Sequence, residues 1–381
     1  MLPDVKVELV TGGMGRVPTG DDRVCALIVN GVNDRPLQIF KPDDAFGHAT
    51  NVSPYSESYM HQIRDFYAVA GEGTELWVQS VDPTLPLASI FTGGIATELM
   101  NRAGGRISVV GVSRFVIGET PAIVEGVHPD TLSGMDEAHA WAEQMAAGQR
   151  PCRIILDGKF LDPTLNNLRN LKGHTFNRVG VLVGSIRPGR NASVGFLLGR
   201  VATTPVHINL GRRKDGAMPT SAAYLTSNKT VEEVGGQLTA LNQKGYIFLR
   251  RYPGSNGYYF VGGGMATADT DDFFDLQYGR VIDKAARLAY QTFSDELLDS
   301  VQVDARTGRL PKTVVKNYQA RIQRALGLTM AAKGEISGVE AFIDPAQDIL
   351  ATSELVVDLR VVPMGLLRQI TVKLGLRNPT V

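Results

Sequence analysis

Ile107-Ser108-Val109-Val110-Gly111-Val112 is an almost unbroken apolar run. A strand with one face in water alternates apolar and polar residues, so a run this continuous belongs to a strand covered on both faces, as in a parallel sheet. Working outward, strands are read at Val24 to Val29, Leu37 to Phe40, Leu76-Trp77-Val78, Cys152 to Leu156 and Val179 to Val183. Helices are read between them. Tyr59, Ile63, Phe66 and Ala70 share one face of a helix over residues 56–70, and the stretches 87–102 and 135–147 are also helical in pattern. Strand and helix in alternation predict an α/β body, a mixed and largely parallel sheet with helices on both faces.

A small-residue helix near 192–201, a helix over 231–243 and strands at 246–249 and 258–261 continue this body. The tone changes near Asp269. A long helix is predicted over 278–301 and a second over 312–330, followed by strands at 339–343, 355–361 and 370–374. Helices followed by antiparallel-type strands make a smaller α+β domain. Both ends of the chain alternate strictly. Leu355, Val357, Leu359 and Val361 take one face of a strand, as do Ile370, Val372 and Leu374 after the break at Pro363-Met364-Gly365, and Val5, Val7 and Leu9 repeat the pattern near the start. Gly12, Gly13 and Gly15 separate that first strand from the body and read as a hinge. The division expected is an N-terminal arm and hinge (1–20), an α/β body (21–268), an α+β domain (269–352) and C-terminal strands (353–381). A terminal strand can complete a sheet that it did not start, including one in another copy of the chain.

The 381 residues can bury a full core without staples, and 39 basic residues balance 39 acidic ones. Bulk charge therefore gives no general attraction to nucleic acid or anionic membrane, and near-zero charge favours self-association. Cys25 and Cys152 lie in apolar contexts and read as buried small hydrophobes. Met1-Leu2-Pro3-Asp4 lacks the basic and apolar regions of a leader, and no apolar run approaches the roughly 20 residues that span a bilayer. A soluble chain made in the cytoplasm, with no membrane insertion, is expected.

Motifs for chemistry are weak. The loop from Gly184 to Asn191 follows a strand and precedes a helix, yet Arg190 and Asn191 stand where a phosphate-binding loop needs lysine and a hydroxyl. A turn with Asn191 or Ser193 capping the helix explains it better. Asp269, Asp271, Asp272 and Asp275 lack the register of a calcium loop and suit the start of a helix. The six histidines are scattered without zinc-ligand spacing, and no GxSxG elbow is present. No catalytic residue, metal or cofactor is expected; an α/β hydrolase-like enzyme is the alternative reading. The helix from Lys312 is more informative. Val315, Tyr318, Ile322 and Leu326 form its apolar face, Lys312, Lys316, Arg321 and Arg324 lie around the rest, and no acidic residue occurs between Lys312 and Lys333. Such a face reads as a solvated outer surface, as on most helices of this kind, or as an electropositive face for an acidic protein partner.

Several segments, in order, resemble the sheath proteins of contractile phage tails and phage-like injection systems: VCALIVNGVNDRPLQIFKPDDAFG from Val24, NASVGFLLGRVATTPVHINLGRRKDG from Asn191, LNQKGYIFLRRYPGSNGYYFVGGGMATADTDDFFDLQYGRVIDKAAR from Leu241, and GVEAFIDPAQDILATSELVVDLRVVPMGLLRQITVKL from Gly338. The resemblance implies a structural subunit that polymerises as stacked rings around a tail tube protein, meets baseplate and tail terminator proteins, and contracts without nucleotide or direct nucleic-acid contact. It implies a place in a virion tail or phage-like particle assembled in the bacterial cytoplasm. It also implies strand exchange through Val5, Val7 and Leu9 and through the C-terminal strands, with the basic helix facing the tube.

Overall fold

The computed structural model describes residues 22–31, 35–49, 56–115, 117–162, 164 and 167–371. Its centre is a six-stranded sheet of β1 (Cys25–Asn30), β2 (Leu37–Ile39), β3 (Leu76–Val81), β4 (Val109–Ser113), β5 (Arg153–Asp157) and β6 (Val179–Leu182). The order across the sheet is β2-β3-β1-β4-β5-β6. Every pairing is parallel except that of β2, which runs antiparallel along the edge of β3. The apolar run that reads as doubly covered is β4, buried along its whole length between β1 and β5.

From β1 the chain first adds β3 on one side and then crosses to β4 on the other. Right-handed crossovers place the helices of those two connections on opposite faces. One face carries α1 (Ser56–Ala70), with α5 (Val194–Thr203) packed against it. The other carries α2 (Leu87–Thr92), α3 (Ile95–Arg102) and α4 (Pro129–Ala147), where Trp141 meets Phe91 at 5.6 Å between ring centres and its indole donates to Thr97 at 3.0 Å. The helix expected over 87–102 is broken in two because Gly94 adopts φ +83°, a left-handed backbone that stops one helix and starts the next. Cys25 and Cys152 are free, fully buried thiols, both pushed up to about 12 by burial.

α1 and α5 approach so closely that an added Cβ at Gly195 would collide with the backbone carbonyl of Gln62. Gly195→Ala is therefore expected to cost about 3 kcal/mol, the upper end of core overpacking. A urea midpoint unchanged from that of the unaltered chain would contradict the close approach.

A second, smaller core lies in the C-terminal unit, built by α6 (Leu276–Phe293), α7 (Lys312–Thr329) and the antiparallel hairpin of β7 (Ile336–Phe342) and β8 (Asp358–Pro363). Val281, Ala285, Leu288, Ile322, Leu326 and Met330 are among its members, and Val206 of the body joins them. The hairpin spans residue 352. α6 ends at Phe293 rather than near 301, because Asp295, Glu296 and Asp299 would stand against the negative end of the helix dipole.

Candidate assembly surfaces

α6 is the joint between the two units, and its chemistry is inverted. Arg280, Asp283, Lys284 and Arg287 fall at i, i+3, i+4 and i+7, a spacing that normally carries a core stripe, and all four are buried. They meet the amino edge of the body sheet. Arg287 donates to the carbonyls of Arg106 (3.1 Å), Ile107 (2.7 Å) and Pro151 (2.6 Å), just ahead of β4 and β5. Asp283 takes the guanidinium of Arg153 in both oxygens, at 2.7 and 3.1 Å, and Arg178 at 3.2 Å. Arg280 donates one nitrogen to the carbonyls of Asp22, Val201 and Thr204, and burial pulls its pKa down to about 10, which leaves it charged at neutral pH. Lys284 bridges Asp22 (2.5 Å) and Glu335 (2.6 Å). The first described residue of the chain and the residue preceding β7 are thus held by one ammonium. The signal for this joint was present as RVIDKAAR, but a charged stripe reads as a solvated face until its partners are seen.

The hairpin has two strands and no third among the described residues. Val339 lies opposite Val361 and Ala341 opposite Leu359 on the face toward the helices, while Glu340 and Arg360 are paired on the outer face. Leu355 and Val357 share the inward alternation expected of them, but the ladder begins only at Asp358. Ahead of it, the side chain of Gln347 accepts from the Val356 N–H at 2.8 Å and donates to its carbonyl at 2.9 Å, taking the place of a strand partner. Ile370 is 76% exposed and lies in no strand of this copy, and the rest of the strand read over 370–374 lies mostly outside the described residues. Val5, Val7, Leu9, Gly12, Gly13, Gly15, Val372 and Leu374 lie outside the described residues. Beside the inward face of residues 357–359 is an open apolar groove of about 290 Å³, walled by Tyr290, Phe293, Leu297 and Ile322.

α7 matches its expected boundaries. Val315, Ile322 and Leu326 are buried and Tyr318 partly so, while Lys312, Lys316, Arg321 and Arg324 are exposed. Arg321 is paired with Glu296, which also accepts from the Tyr318 hydroxyl at 3.4 Å. Lys312, Lys316 and Arg324 make no ion pair among the described residues.

At the carboxyl edge of the sheet, the crevice between β1 and β4 is where open α/β sheets bind ligands. Here the chain fills it. Gln62 donates to Ser113 (3.1 Å) and the Ala192 carbonyl (2.9 Å), and accepts from the N–H of Gly195 (2.8 Å). Asp157 accepts from Ser113 at 3.1 Å and from the Ala192 N–H at 2.8 Å. A cavity of about 10 Å³ remains near Arg114, Asp130 and Lys159, the size of one water. Ser193 stands at the N-cap of α5 but accepts from the Ile186 N–H instead, so the cap expected from Asn191 or Ser193 is supplied by Gln62 of α1. In the same loop Arg187 grips Asp65 with both terminal nitrogens. Of the acidic cluster, Asp275 caps α6, Asp269 takes Lys172 and Arg368, and Asp271 takes the Phe273 N–H.

Burial pushes the pKa of Asp157 up from 3.8 to about 7, against the pull of the Ala192 N–H, Lys159, Ser113 and Arg114. Between pH 3.8 and about 7 the folded chain holds a proton that the unfolded chain has released. This contribution is therefore full below pH 3.8 and is lost as pH rises through about 7. Relative to Asp157→Asn, the unaltered chain is expected to lose a few kcal/mol, about 1.4 per pKa unit, between acid and neutral pH. Urea midpoints of the two proteins at pH 4 and 8 check this; a constant difference would refute it.

Comparison with known proteins covers the whole arrangement. A family model described as DUF2586, N-terminal domain, matches residues 2–263, and one described as DUF2586, C-terminal domain, matches residues 272–381. No curated protein matches the sequence. Among solved structures, the helical sheath of the anti-feeding prophage in its contracted state aligns with TM-score 0.65 at 14% identity, over 98% of this chain and 99% of that one. A chain of the anti-feeding prophage baseplate aligns with TM-score 0.63 at 13% identity, over 99% of both. The contracted PVC sheath complex of an extracellular contractile injection system aligns with TM-score 0.62 at 12% identity, over 98% of this chain and 97% of that one. The fold is common to these chains.

Proposed function

On the premise that this chain belongs to the DUF2586 family, with both of that family's domains in order, we propose that it is a structural subunit of a contractile sheath, polymerising helically around an inner tube and contracting to drive that tube through an envelope. The observation that carries the reading is the likeness to sheath subunits over 98% of the chain, C-terminal unit included. The two-stranded hairpin supports it physically. An isolated pair of strands is marginal in water, and unpaired edges accept further strands. Val5, Val7 and Leu9 of one neighbour and Ile370, Val372 and Leu374 of another are the proposed donors, with Gly12, Gly13 and Gly15 as the hinge. The baseplate is a further proposed partner by likeness, and the tube and terminator proteins by the same reading. We read the chain as having no catalytic role. The filled crevice beside Asp157 and Gln62 supports this over a hydrolase-like enzyme.

Negative-stain microscopy of the purified chain, alone and with a candidate tail tube protein, tests the proposal. Tubes or long helical polymers are expected, and a small closed oligomer under both conditions would overturn it. For α7, Lys316→Glu with Arg324→Glu is expected to weaken co-sedimentation with the tube roughly tenfold, as for charges at an electrostatic interface. Arg321 is best left in place, since it already holds Glu296. Unchanged co-sedimentation would remove this helix from the tube surface.

A further inference from the structure

Two exposed surfaces of opposite charge lie on segments other than the hairpin strands and α7. The first is built on the body. Arg213 and Arg250 both lie over the ring of Tyr252, their guanidinium carbons 4.6 and 4.3 Å from its centre. Arg213 is also 5.7 Å from the centre of Tyr259, whose ring meets Tyr252 edge to face. Lys214 and Arg251 are exposed beside them. The nearby carboxylates are engaged: Asp215 by Arg200 and Arg212, and Glu232 by the Tyr258 hydroxyl at 2.7 Å. Among the described residues Arg213, Lys214, Arg250 and Arg251 make no ion pair. Two guanidiniums on one ring repel each other. Stacking holds them; Arg213 gives one terminal nitrogen to the Ser255 hydroxyl, and its other N–H groups and the fork of Arg250 remain available to carboxylates above an aromatic floor.

The second surface is the link between α6 and α7. Residues 288–305 contain four acidic residues and no Lys or Arg. Glu296 is held by Arg321, and Asp304 is turned back onto the N–H groups of Arg306 and Thr307. Asp295 and Asp299 are exposed. Between them stand Leu297, 70% exposed, and Leu298, the most exposed large apolar residue among those described. Leu298 also adopts φ +66°, a strained conformation for a branched-chain residue. A strained turn that presents bare leucines between carboxylates is built for contact rather than for its own core.

We propose that the acidic dileucine turn at residues 295–299 of one copy docks on the arginine–tyrosine patch of the next copy. Asp295 and Asp299 meet the forks of Arg213 and Arg250, and the leucines cover the rings of Tyr252 and Tyr259. The occupant is a second copy because both halves of the contact lie on this chain, complementary in charge, and no hydrogen bond or ion pair joins them within one copy among the described residues. Different patches meeting head to tail form a heterologous contact, which propagates a helical filament when it does not close into a ring. The inference deepens the sheath reading by assigning it a lattice contact apart from strand exchange.

The test uses two full-length variants, Arg213→Glu with Arg250→Glu and Asp295→Lys with Asp299→Lys, followed by sedimentation velocity. Each alone is expected to raise the concentration threshold for polymerisation at least tenfold. Mixed in equal amounts, every contact in an alternating polymer is again between opposite charges, and the threshold is expected to return to within about twofold of the unaltered chain. A protein that merely failed to fold would not be rescued by mixing. Wild-type thresholds for either variant alone, or no rescue on mixing, would overturn the contact. If the unaltered chain forms no polymer, alone or with the tube protein, the sheath reading fails first. The contact is then judged on whether the two variants associate with each other and not with themselves.

Discussion

Asp283→Ala is expected to destabilise the chain by about 3–5 kcal/mol, the loss found when one partner of a buried ion pair is removed. Arg153, whose side chain is fully buried, donates to both oxygens of Asp283, and Arg178 adds a third bond to the same carboxylate. Without Asp283, Arg153 keeps the carbonyls of Asn177 (2.9 Å) and Gly279 (3.2 Å) but loses its counter-charge in a place that water does not reach. The same bonds tie α6 to β5, so the C-terminal unit is expected to loosen from the body as well. Urea unfolding followed by tryptophan fluorescence, with Trp77 and Trp141 both in the body, would report the body separately from a circular-dichroism signal that includes α6 and α7. A single transition shifted by less than about 1 kcal/mol would show that the joint does not depend on this pair. The double change Arg153→Met with Asp283→Leu is expected to recover most of the loss, since apolar groups of similar size can replace a buried pair at little cost.

Removing residues 1–12 is expected to abolish polymerisation while leaving the body folded. If Val5 to Leu9 adds a strand to a neighbour, about four or five backbone hydrogen bonds at about 1 kcal/mol each are lost per junction. That corresponds to roughly a thousandfold rise in the polymerisation threshold. The cut leaves intact the point where the chain enters the body, since Asp22 is held by Arg280 and Lys284. Unchanged unfolding together with loss of tubes in the microscope is the expected pair of results. Normal tubes from the shortened chain would end the arm hypothesis.

The sequence by itself determined the α/β body, because burial on both faces of β4 and its neighbours demands apolar runs that no helix or half-exposed strand would need. It determined α7 with its basic face, because a single helix shows its periodicity without reference to anything else. It also marked the inward alternation at Leu355, Val357, Leu359 and Val361. Tertiary structure alone decided what those elements meet. The stripe of Arg280, Asp283, Lys284 and Arg287 reads as a wet surface until the strand starts at Ile107 and Pro151 and the side chains of Arg153 and Asp22 are brought to it. The cap of α5 comes from Gln62, 131 residues before Ser193 in sequence, and the partner of Val356 is a side chain, Gln347. A sequence pattern records how one element divides itself between apolar and polar surroundings. It does not record which distant charges and carbonyls share the polar side, and in this chain those partners make the joint on which assembly would act.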